Sequence, residues 1–101
     1  MIVNRTPHTV VVGDEVFYPV APPLRVETKE YDANPIAGVH CVRQETGEPN
    51  LPEQGIHYYI VSRSVFEAAP KRADLLVPDT GKGAIRDDSG NVIAVTRLIR
   101  R

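Results

Sequence analysis

Nine prolines and seven glycines in 101 residues cut this chain into pieces too short for long helices. Proline removes a backbone donor and glycine loosens the chain, so the runs between them suit short strands and turns. Those runs are rich in β-branched and aromatic residues. Thr9-Val10-Val11-Val12 and Val16-Phe17-Tyr18 flank Gly13-Asp14, the pattern of a hairpin whose glycine takes positive φ. Ile2 to Thr6 reads as a short extended segment broken at Pro7, and Pro19 and Pro22-Pro23 close this first unit.

Leu24-Arg25-Val26-Glu27-Thr28 alternates as a strand with one wet face does, and Asp32-Ala33-Asn34-Pro35 is turn chemistry. A strand over Val39 to Arg43 runs into a long polar loop, residues 45–55, that contains Pro49 and Pro52. Ile56-His57-Tyr58-Tyr59-Ile60-Val61 is apolar or aromatic on both faces, which predicts a central position in a sheet. Ser64-Val65-Phe66-Glu67 has the form of a capping box, with the Ser64 hydroxyl taking the Glu67 amide, and Pro70 stops the helix it predicts. Beyond it come a short buried strand at Leu75-Leu76-Val77 and a mobile turn from Asp79 to Gly83. A closing hairpin of residues 85–87 and 92–98 follows, around Asp88-Ser89-Gly90-Asn91.

About seven strands and one short helix near residues 64–70 make the chain mainly β. The expected architecture is a small antiparallel sandwich or partly open barrel, formed as a single domain over residues 1–101. A domain of this size buries a limited share of its surface, so a homo-oligomer is expected to help it.

A hydrophobic share of 42% and a charged share of 25% are those of a globular protein. The net charge of −1 provides no field to draw the chain to anionic lipid or nucleic acid, so neither a membrane nor a DNA or RNA duplex is an expected partner. Arg97, Arg100 and Arg101 at one end, and Glu45, Glu48 and Glu53 in the central loop, read as solvated surface charge. The single cysteine, Cys41, suits a reducing compartment, and Met1 to Arg5 lack the apolar run of a leader or membrane span. The expected location is the cytoplasm.

Several fragments resemble catalytic motifs without their context. Asp79-Thr80-Gly81 is the tripeptide of aspartic proteases, but Pro78 stands where those enzymes place a hydrophobic strand residue, and a surface turn explains it better. Gly81-Lys82-Gly83 lacks the earlier glycine, the following hydroxyl and the helix of a phosphate loop. His8, His40 and His57 have no ligand spacing, and a paper triad of Ser62, His8 and Asp74 has no nucleophile elbow. Neither a metal nor a cofactor is expected.

The polar positions that remain suit ligand binding. Asn4, Thr6 and His8 share parity, so an extended segment points them to one face. Ser62 and Arg63 follow the central strand. Arg72 with Asp74, and Arg86 with Asp87, form two Arg–Asp neighbourhoods whose guanidiniums suit phosphate or carboxylate, and Tyr58 or Tyr59 offers a ring for stacking. The plainer reading is that these arginines and aspartates pair with each other and lock the turns.

At Asn4-Arg5-Thr6-Pro7-His8 the chain resembles a family of small, largely uncharacterised tailed-phage and prophage proteins whose members open with Asn-Leu-Thr-Pro-His. The likeness continues through Gly47-Glu48, Leu51-Pro52 and Tyr59-Ile60-Val61-Ser62. It then takes in Ala69-Pro70, Arg72, Asp74, Pro78, Ile85-Arg86-Asp87, Gly90 and Ile93. Arg5 stands in place of the usual leucine, and Pro19 to Leu24 lacks the family's Pro-Ser-Gly. The resemblance implies a phage context, and with it an accessory role against the host.

The leading expectation is therefore a non-enzymatic protein that sequesters a small phosphorylated or nucleotide ligand, such as a host antiviral signal. Asn4, Thr6, His8, Tyr59, Ser62, Arg72, Asp74 and Arg86 are the candidate ligand-binding residues. The alternative is a protein-interaction module that uses strand edges and the 45–55 loop. A nucleotide-cleaving enzyme ranks third, because no paired carboxylates fall at telling spacings.

Overall fold

The computed structural model describes all residues, Met1–Arg101. It is mainly β with one short helix, and its strands form separate sheets, none closed into a barrel. The first sheet has the order β1 (Ile2–Asn4), β6 (Tyr58–Ile60), β7 (Leu75–Pro78) and β10 (Leu98–Ile99). The second is β3 (Glu15–Phe17), β2 (Val10–Val12), β9 (Val92–Val95) and β8 (Ala84–Arg86). The hairpin of β4 (Thr28–Ile36) and β5 (Val39–Thr46) stands alone as a third.

Pairing is not antiparallel throughout, as a simple sandwich would have it. β6 lies parallel to both β1 and β7, and β2 lies parallel to β9. Parallel neighbours need a crossover, and residues 61–74 supply one between β6 and β7 by way of α1 (Arg63–Ala68). β6 is central as its two-sided apolar pattern predicts, although only its second half joins the ladder and Ile56 is exposed.

The helix starts two residues earlier than the Ser64 capping box implies. Ser62 is its cap, in extended geometry, with its hydroxyl accepting from the Val65 amide at 3.4 Å. The earlier start turns Val65 and Phe66 inward, where they join Leu24, Tyr59, Val61, Leu75 and Val77 in one buried cluster. Full burial of side chains of this size stabilises by about 1.5–3 kcal/mol each, which outweighs the better box. Val3, Val26, Leu51, Ala69 and Ile99 pack around the cluster.

Two other expectations shift. Leu24 to Glu27 alternate in burial but join no ladder. They run as an extended segment tied by Leu24 N to Arg5 O at 2.8 Å and by Arg25 N to the Asn50 side chain at 2.8 Å. Asp32 to Pro35 is strand, not turn. The reversal comes at Ala37 and Gly38, with φ of 50° and 79°, the paired positive values that a two-residue hairpin loop requires. Pro35 sits at an irregularity of a free ribbon, where its missing donor costs no ladder bond.

Asn4 ties the two larger sheets together. It is 1% exposed, and its carboxamide is fully used. Nδ2 donates to the His8 carbonyl at 2.7 Å and to the Phe17 carbonyl of β3 at 2.8 Å. Oδ1 accepts from the Thr6 amide at 3.0 Å and the Thr6 hydroxyl at 2.7 Å. Its backbone carbonyl takes the Val20 amide at 2.8 Å. Beside it, Arg5 Nε donates to the Pro22 carbonyl at 2.8 Å and braces the proline-rich segment.

Asn4→Ala would take the partner from the Phe17 carbonyl and the Thr6 amide and empty a buried position between the sheets. Its expected cost is about 3 kcal/mol, a large share of the stability of a small domain, read as a lower urea midpoint with an unchanged slope.

Candidate functional site

The largest cleft opens beside this clamp and has a volume of about 570 Å³, within the size range of small-ligand sites. Its floor is apolar: Leu24, Val61 and Val77 belong to the buried cluster and reach the cleft from beneath. Thr6, Pro7 and His8 form one wall, presented by the turn that Asn4 holds. Ser62, Arg63 and Ser64 come from the start of α1, Arg25 from the segment before β4, and Thr80 from the turn after β7. No carboxylate lines the cleft, so its formal charge comes from Arg25 and Arg63 alone.

The candidate residues divide sharply. Thr6, His8 and Ser62 come together in the cleft. Asn4 lies buried beside it as the clamp, with no valence left for a ligand. Tyr59 is 8% exposed and is part of the core cluster, not the cleft lining.

Arg72 and Asp74 pair with each other through two bonds of 2.8 and 2.7 Å. Asp74 is held below the ordinary carboxylate range, first by its bonds to Arg72 and against the opposing effect of burial, while Arg72 is raised by the same bonds. Arg72 lines a separate groove with Glu48, Leu51 and Pro70. Arg86 closes the β8–β9 turn by donating to the Gly90 carbonyl at 2.8 Å and the Thr80 carbonyl at 3.3 Å. Asp87 faces inward to that turn, accepting from the Ser89 and Asn91 amides at 2.9 Å each.

The turn at Asp79 is pinned, not loose. Its carboxylate is buried, takes Arg97 Nε at 2.6 Å and the Gly81 amide at 3.0 Å, and is shifted downward first by Arg97 and then by the Gly81 amide. Gly83 closes against it: a Cβ there would lie 3.0 Å from Asp79 Cβ and 3.1 Å from its carbonyl oxygen. The protease-like tripeptide is thus an Asx turn that positions Thr80 on the cleft rim.

The C-terminal arginines also have partners. Arg100 stands over the Tyr58 ring at 5.5 Å, and Arg101 stacks on Phe66 at 3.9 Å while donating to the Phe66 and Arg72 carbonyls. Arg25 and Arg63 are different. Neither guanidinium forms a hydrogen bond or ion pair within the chain, and both border the same cleft.

The sequence sets Arg63 beside Ser62 without a role, and no motif in it marks Arg25, Ser64 or Thr80 as lining a cleft. The one available signal for Arg25 was its place between Leu24 and Val26, an outward position over two inward ones. A search of family models, curated proteins and solved structures finds no match to this chain.

Asp74 and Asp79 ionise more readily in the folded chain, so their stabilisation is complete above the unfolded carboxyl value and is lost as pH falls through and below about 4. Thermal melts should hold level from neutral pH to about 5 and drop steeply below about 4. Asp79→Asn should melt lower at neutral pH and show a shallower acid slope. Gly83→Ala should be destabilised at every pH, because Asp79 cannot give way without releasing Arg97.

Proposed function

We propose that this protein binds and holds a small phosphorylated ligand of nucleotide type in the cleft between the Thr6–His8 turn and the start of α1. The observation that carries this reading is the pairing of two uncommitted guanidiniums with a cleft that lacks carboxylates. Arginine forks match phosphate oxygens, and an apolar floor accepts the flat face of a base. Arg25 and Arg63 take the phosphate role, in place of the self-paired Arg72 and the turn-locking Arg86. The His8 ring and the hydroxyls of Ser64 and Thr80 supply directional contacts around the rim.

The reading is one of sequestration, not turnover. The likeness to phage and prophage proteins at Asn4 to His8 and beyond supports a host antiviral nucleotide signal as the ligand. Removing such a signal needs affinity and no chemistry.

Isothermal titration against a panel of linear and cyclic nucleotides tests this, with mass spectrometry of the recovered ligand. The expected result is saturable binding with the nucleotide returned intact. Arg25→Ala and Arg63→Ala should each weaken it about 10- to 100-fold at unchanged melting temperature, the size of one or two charge-assisted hydrogen bonds. If every nucleotide stays free at millimolar concentration, or the arginine variants bind as well as the native chain, the proposal fails.

A further inference from the structure

The β4–β5 hairpin leaves the body at the Gly47 amide to Glu27 carbonyl bond of 2.8 Å and forms a sheet with no third strand. Its register sorts the side chains onto two unlike faces. One face is polar apart from Val42 and internally bonded, with Gln44 donating to Glu30 at 2.9 Å and His40 meeting Asp32 at 3.0 Å. The other carries Tyr31, Ala33, Ile36, Val39 and Cys41, because the irregularity at Asn34–Pro35 brings Ile36 back opposite Val39. An antiparallel ribbon patterned this way lays its apolar face on a core. Here nothing in the chain covers it: Tyr31 is 49%, Val39 64% and Ile36 71% exposed.

The whole chain is also more open than a compact monomer of its size. The chain exposes 7255 Å², whereas a compact monomer of 11.2 kDa exposes about 5,700 Å². Its radius of gyration is 16.4 Å, against about 13 Å for a compact domain of this length. This excess of about 1,500 Å² per chain is spread over the molecule and sets an upper limit of about 3,000 Å² on what two copies bury against each other, which reaches the range of permanent homodimers. An isolated two-stranded hairpin is marginal in water, so an arm this long needs a partner present whenever the chain is present. A second copy meets that condition by construction. The same face carries Lys29 and Glu45 toward its base and Arg43 opposite Tyr31, so it holds both signs and no single-sign field keeps two copies apart.

We infer that the β4–β5 hairpin is a dimerisation arm, which buries its Tyr31–Ala33–Ile36–Val39–Cys41 face on a second copy of this chain about a two-fold axis. The inference stands apart from the ligand reading, since the arm contributes no residue to the cleft.

Sedimentation equilibrium of the full chain tests it. The native chain should sediment with twice the 11.2 kDa mass at micromolar concentration. Ile36→Asp and Val39→Asp, at side chains largely exposed in the protomer, should raise the dimer dissociation constant at least about tenfold with unchanged circular dichroism. Glu30→Gln, on the polar face, should leave that constant within about twofold. A native chain that stays monomeric at about 100 µM, its arm free for some other partner, overturns the inference. So does a dimer indifferent to both tip substitutions.

Discussion

The carboxamide of Asn4 is the interaction on which the rest of the fold depends. A buried amide is costly unless both donors and both acceptor positions are met, and this one is met within its own neighbourhood. Three of those bonds shape the Thr6–His8 turn, and one crosses to Phe17, so a single side chain sets a local bend and a distant sheet at once. The strands it joins are only three residues long, too short to fix their relative position through ladders alone. The Asn-x-Thr-Pro-His stretch is therefore architectural at its first position and open to the cleft at its last, and the same turn serves both ends.

Charge is distributed with similar economy. A chain of net charge −1 could leave its arginines as general surface. Instead Arg72 and Arg97 are tied to aspartates, Arg5, Arg86 and Arg101 to carbonyls, and Arg100 to an aromatic face. Committing these cations to structure leaves few to act outward. Two of the remainder meet at the cleft, where the apolar floor and the lack of carboxylates make their field count for more than it would on an open surface.

The parts legible in the sequence were those governed by short-range rules. Gly13 and its flanking valines specify the β2–β3 hairpin, and the apolar run at Tyr58–Ile60 places β6 at the centre of its sheet. Leu24 and Val26 were read correctly as inward-facing, yet their segment has no ladder partner, because alternation reports burial and not pairing. Ser64 and Glu67 formed the better local cap, and Ser62 won because the core needed Val65 and Phe66. The Arg–Asp pairs were legible as neighbours, but their choice of each other over a ligand is a matter of geometry. Arg25 and Thr80 are separated by most of the chain, and no local pattern announces that they share a cleft.

Leu24, Val61 and Val77 are at once the floor of the cleft and members of the core. This double membership divides the cleft into two tiers of tolerance to substitution. A change in the floor alters the shape of the cavity and loosens the domain in the same stroke, so cleft depth cannot be altered without a cost in stability. The rim stands on turns and loop segments, where Arg25, Arg63, His8 and Thr80 can be exchanged at little cost to folding.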